Sequence, residues 1–75
     1  MSEANATLVI CIDNSDFQAA LERRKIYITV ADADAARHGL LRVVDESGED
    51  YLYPAARFVV VDLPAAVASA VLRAA

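Results

Sequence analysis

Leu40-Leu41-Arg42-Val43-Val44-Asp45-Glu46-Ser47-Gly48-Glu49-Asp50-Tyr51-Leu52-Tyr53-Pro54-Ala55-Ala56-Arg57-Phe58-Val59-Val60-Val61 is the stretch on which the fold turns. Five residues rich in apolar side chains run into a polar tract holding one glycine, and Tyr51-Leu52-Tyr53 then resumes the extended pattern. That is strand, tight turn, strand. Pro54 has no N–H to give to a ladder, so it ends the second arm. Pro54-Ala55-Ala56-Arg57 is predicted to make a single 3₁₀ turn before Phe58-Val59-Val60-Val61 returns as a strand.

Upstream, Thr7-Leu8-Val9-Ile10-Cys11-Ile12 is a run rich in β-branched residues. It stops at Asp13-Asn14-Ser15-Asp16, whose short side chains bond their own backbone and favour turns. Phe17 to Arg24 fits two readings equally: a helical turn with Phe17, Ala20, Leu21 and Arg24 on one face, or an excursion loop tethered by Phe17 and Leu21. Lys25-Ile26-Tyr27-Ile28-Thr29-Val30 alternates, with the isoleucines and Val30 on one face. Asp32 or Asp34 caps a short helical turn that Gly39 ends, with His38 just before the stop. Downstream, Asp62-Leu63-Pro64 opens a helix with Leu63, Val67, Ala70, Val71 and Ala74 in one stripe. The prediction is a mainly β chain with strands near 7–12, 25–30, 40–45, 51–53 and 58–61 and a helix near 63–73. A small five-stranded SH3-like barrel with a short C-terminal α-helix fits this order, an OB-like barrel being the rival. Closure would remove the edges that so apolar a sheet exposes.

The chain has 75 residues, which suits one domain over 1–75. It is 57% hydrophobic, but sixteen residues are alanine, so the core must come from the other apolar side chains. A net charge of −4 is the wrong sign for neutralising phosphates, and nucleic-acid binding is not expected. The single Cys11 cannot form an internal disulfide, and Met1 to Thr7 is polar and acidic where a signal peptide would be basic and then apolar. Both point to a cytoplasmic protein. The longest apolar runs are far below the ~20 residues that span a bilayer, so no membrane role is expected.

From Lys25-Ile26-Tyr27 through Gly39 and the Asp45-Glu46-Ser47-Gly48-Glu49-Asp50-Tyr51-Leu52-Tyr53-Pro54 run to Asp62-Leu63-Pro64, the chain resembles a family of small, uncharacterised bacterial proteins. The ten-residue run is the specific part of that resemblance. It implies a bacterial origin and an SH3-like barrel and brings no activity. Leu52-Tyr53-Pro54 ahead of a 3₁₀ turn is also similar to the end of SH3 domains, where an aromatic-proline pair contributes to a peptide groove. This chain has no tryptophan and no aromatic run on its first strand.

No catalytic constellation is found. Cys11 would need a base to hold it as thiolate, and His38 lies on a different element. One Cys and one His make no zinc spacing, and neither a metal nor a cofactor is expected. Asp45, Glu46, Glu49 and Asp50 crowd one turn, and Arg23, Arg24 and Lys25 form a basic run; both are candidates for a charged partner. Tyr27, Tyr51 and Tyr53 with Phe17 and Pro54 are candidates for a ligand groove, because tyrosine combines an apolar body with a polar tip. Tyr51 and Tyr53 share a face, so they line a groove if Leu52 enters the core and join the core if it does not. The expected function is a non-catalytic protein- or peptide-binding module. The alternatives are an accessory subunit or homo-oligomerising component of a larger assembly and, less favoured, single-stranded nucleic-acid binding through Arg23 to Lys25.

Overall fold

The computed structural model describes residues 6–74, so the N-terminal stretch from Met1 to Asn5 lies outside the described residues. Five antiparallel strands form one curled sheet: β1 (Ala6–Cys11), β2 (Ile26–Val30), β3 (Leu40–Val44), β4 (Asp50–Pro54) and β5 (Phe58–Val60). Two helices accompany them, α1 (Ala33–Arg37) and α2 (Ala65–Ala74), and a 3₁₀ turn, Ala55–Arg57, joins β4 to β5. The strand order is β4-β3-β2-β1-β5. A four-stranded meander with the last strand returned beside the first is the SH3-like arrangement; β1 lies between β2 and β5. The sheet curls into a half-barrel whose two edges are β4 and β5.

Local chemistry explains the connections. Asp32 accepts from the Ala35 N–H at 3.0 Å and caps α1, and Gly39 follows at φ +71°, a left-handed conformation that suits glycine. Gly48, at φ +85°, turns the β3–β4 hairpin. The outward-pointing backbone nitrogen at the end of β4 belongs to Pro54, so the proline costs the ladder nothing there.

The concave face holds the core: Val9, Cys11, Tyr27, Val43, Tyr53 and Phe58 from the strands, and Leu21 from the segment between β1 and β2. That segment is an excursion tethered by Leu21, and it contains one helical turn in which Leu21 N–H donates to Phe17 O. The ring of Phe17 meets Tyr53 edge-on at 5.1 Å between centroids, and Tyr53 in turn meets Phe58 at 6.3 Å.

On β2 the inward face is that of Tyr27. Tyr27 and Thr29 are its buried residues, whereas Ile26 and Ile28 are half-buried on the convex side. The reason is that both faces of this strand are covered. Tyr27 sits opposite Val9 in the core, and α2 lies along the other side. Leu72 and Ala68 share a groove with Leu8, while Val71 and Ala74 share another with Ile26, Ile28 and Val44. The inward stripe of α2 is rotated from the expected one: Val67 and Ala70 are exposed, and Ala68, Val71 and Leu72 are half-buried. No helix is long and apolar enough to cross a membrane among the described residues.

Leu21 is fully buried, so Leu21→Ala is expected to cost about 2–5 kcal/mol in urea unfolding. Arg24 holds φ +73° without being glycine. Because that conformation costs an ordinary residue about 1–2 kcal/mol and glycine loses part of the gain in chain entropy, Arg24→Gly should raise stability by about 0.5–1 kcal/mol in the same assay.

Candidate functional site

The acidic turn and two of the tyrosines are joined to each other. Tyr53 donates its hydroxyl proton to Asp45 Oδ2 at 2.6 Å, and the other oxygen of Asp45 accepts from Ser47 N–H at 2.9 Å and Ser47 Oγ–H at 2.5 Å. Tyr27 donates to Glu46 Oε2 at 2.5 Å and accepts from Glu22 N–H at 2.7 Å. Lys25 Nζ lies 2.6 Å from the same Glu46 oxygen. Asp45 follows β3 and is buried, and Glu46 begins the turn, so one dipeptide receives both buried phenols.

The electrostatics follow from burial and these bonds. Burial, with the hydrogen bond to Asp45, pushes Tyr53 up to about 12. Burial likewise pushes Tyr27 far up, assisted by Glu46. Burial alone would raise Asp45, but its bonds from Ser47 and Tyr53 outweigh that and hold it below the ordinary carboxylate value. Lys25 and then Tyr27 lower Glu46 in the same way.

Of the two arrangements open to Tyr27, Tyr51, Tyr53, Phe17 and Pro54, a groove or the core, these contacts put Tyr27 and Tyr53 in the core. Tyr27 and Tyr53 are each 5% exposed and belong to the core, because their face of the sheet is the concave one; Leu52 points outward. Tyr51 shares their face but sits near the open end of β4, where it is 50% exposed and donates to Glu49 at 3.0 Å. Phe17 and Pro54 are half-buried. Of the basic run, Lys25 pairs with Glu46, whereas Arg23 and Arg24 stand exposed on the excursion. Asp50 pairs with Arg42 at 3.6 Å. Sequence reasoning missed Arg57, which ties the excursion to the 3₁₀ turn: it donates to Ser15 O at 2.7 Å, lies 3.4 Å from Asp13, and covers the Phe17 ring. Cys11 is buried mid-strand, and the exposed His38 ring contacts Asp34 O at 2.9 Å.

What the tyrosines do not offer, the β5 edge does. Val61 N–H donates to Leu8 O at 2.8 Å and Ile12 N–H to Arg57 O at 2.9 Å, which fixes the alternation of the β1–β5 ladder. Residues 57, 59 and 61 turn their backbone to β1, and residues 58, 60 and 62 turn theirs away. Phe58 N–H is taken by Ala55 O. The Phe58 C=O, both backbone groups of Val60 and the Asp62 N–H have no backbone partner among the described residues. Val60 is 66% exposed, the most exposed large apolar side chain described. It borders two grooves: one of about 530 Å³ with Leu8, Leu63 and Leu72 on the helix side, and one of about 320 Å³ with Val9, Thr29 and Leu41 on the concave side. The opposite edge is blunted. On β4, Asp50 is charged and Pro54 has no N–H, both of which discourage strand addition. No residue of Phe58–Val61 carries such a device.

Comparisons with protein-family models, with curated proteins and with solved structures find no match.

Tyr53→Phe leaves a buried Asp45 oxygen without its donor, and a loss of about 1–3 kcal/mol is expected in urea unfolding. The pH dependence has a definite sign. The folded state holds the Tyr53 proton more tightly than the unfolded chain, so its contribution is complete below about pH 10 and declines as pH rises toward 12. Asp45, lowered from 3.8, contributes fully above that value and loses its contribution as pH falls through its folded value. Melting temperature against pH should show both declines, and the alkaline one should shrink in Tyr53→Phe.

Proposed function

We propose that this chain is a non-catalytic protein-binding module that takes an extended segment of a protein along the free edge of β5. Backbone bonds to a sheet edge supply affinity in such recognition, and pockets for alternate side chains supply selectivity. The observation that carries the reading is Val60, exposed on an unguarded edge with an apolar groove on each side. Successive side chains of an added strand point to opposite faces, so they would enter the helix-side and concave-side grooves in turn. The non-catalytic part rests on Cys11 being buried and His38 being held at the end of α1. The unpaired Cys11 supports a cytosolic setting. Arg23 and Arg24 are too few on an acidic chain to favour nucleic acid over protein.

Selection of peptides from a random displayed library tests this. Selected peptides should carry apolar residues at alternate positions and shift the amide signals of Phe58 to Asp62 in a ¹⁵N spectrum. Val60→Lys should weaken their binding at least tenfold while leaving the melting temperature within a few degrees. Peptides that shift Tyr51 or Arg23 instead, or a library that yields none, would overturn the reading.

A further inference from the structure

We infer that the segment received by the β5 edge is β5 of a second copy of this chain, paired antiparallel about a two-fold axis through Val60. This rests on the β5 edge being the docking site, and it names the occupant. The unpaired groups are self-complementary about Val60. With Val60 opposite Val60, each Val60 N–H meets the other copy's Val60 C=O, and each Asp62 N–H meets the other's Phe58 C=O. A centre on Val61 would make as many backbone bonds, with Val60 opposite Asp62, but it would bring the two Asp62 residues within about 7 Å along the strands at ~3.4 Å per residue. Phe58 N–H is already donated to Ala55 O, which spoils a pairing centred on Phe58. Pro64 has no N–H and its C=O accepts from Ala68 N–H, so pairing ends after Asp62. An isologous contact needs only one patch to be suitable, which is why two-fold dimers are the commonest assemblies.

Charge permits the pairing. Phe58 to Val61 holds no ionisable side chain, so a copy meets its like without repulsion at the centre. Asp62 falls opposite Phe58, and the two Asp62 residues stand about 14 Å apart at ~3.4 Å per residue. That exceeds the Debye length of about 8 Å at physiological salt. The same strand set against β4 of another copy would meet Asp50 and the missing N–H of Pro54, so head-to-tail growth is disfavoured.

Sedimentation velocity over a range of concentrations tests the oligomeric state. Wild-type protein is expected to pass from monomer to dimer and stop there, and Val60→Lys should remain monomeric with an unchanged circular dichroism spectrum. Site-directed crosslinking reads the register separately. Under mild oxidation Val60→Cys should give a disulfide-linked dimer and Val59→Cys should not, since residue 59 falls opposite residue 61 and about 8 Å from the other residue 59, too far for a disulfide; Cys11 is buried and does not compete. A wild-type monomer at millimolar concentration would overturn the inference, as would a dimer that survives Val60→Lys or crosslinks equally through residue 59. A monomer whose selected peptides still shift Phe58 to Asp62 would overturn only the identity of the occupant. Peptides and dimer contacts that both avoid β5 would remove the docking site itself.

Discussion

Two buried phenols need two acceptors, and the hairpin supplies both from adjacent positions. A tyrosine hydroxyl taken out of water costs free energy unless it keeps a partner, and a carboxylate in the same place costs more. Asp45 and Glu46 meet both demands at once, and they tie together parts of the chain distant in sequence: β2 through Tyr27, β4 through Tyr53, and the excursion through Glu22 N–H and the Glu46 N–H donated to Ala20 O. The hydrophobic contacts of Leu21, Phe17 and Phe58 are assembled around these bonds.

The backbone plan was largely legible in the residues. The Asp45-to-Tyr53 run announced the hairpin through its glycine, Pro54 announced the 3₁₀ turn, and the order of short strands pointed to an SH3-like sheet with a terminal helix. What could not be read was which face looks inward. Alternation in Lys25 to Val30 gives two faces and says nothing about which is concave, and isoleucines beneath α2 are as apolar as those of a core. The tyrosines keep two readings in the sequence for that reason. Four carboxylates in a turn suggest a charged partner, whereas Asp45 is buried; the signal lay in Tyr53, eight residues beyond, which needed a partner once its face was assigned.

The free edge of β5 was invisible in the sequence for a different reason. Phe58-Val59-Val60-Val61 reads as any buried strand, and an edge differs from a centre only in what lies beside it. The contrast between β4 and β5 emerges from the strand order. Asp50 and Pro54 then become meaningful as guards, and the absence of a comparable residue on β5 becomes the feature to explain.

The strand order also has a kinetic side. The β3–β4 hairpin closes over a handful of residues, but the β1–β5 pairing joins residues roughly fifty apart in the chain. By loop-closure entropy that step costs about 2 kcal/mol more than the hairpin. The strand with the free edge therefore carries the larger loop-closure cost. Whatever binds along β5 holds that strand in place, so occupancy of the edge slows the opening of the half-barrel.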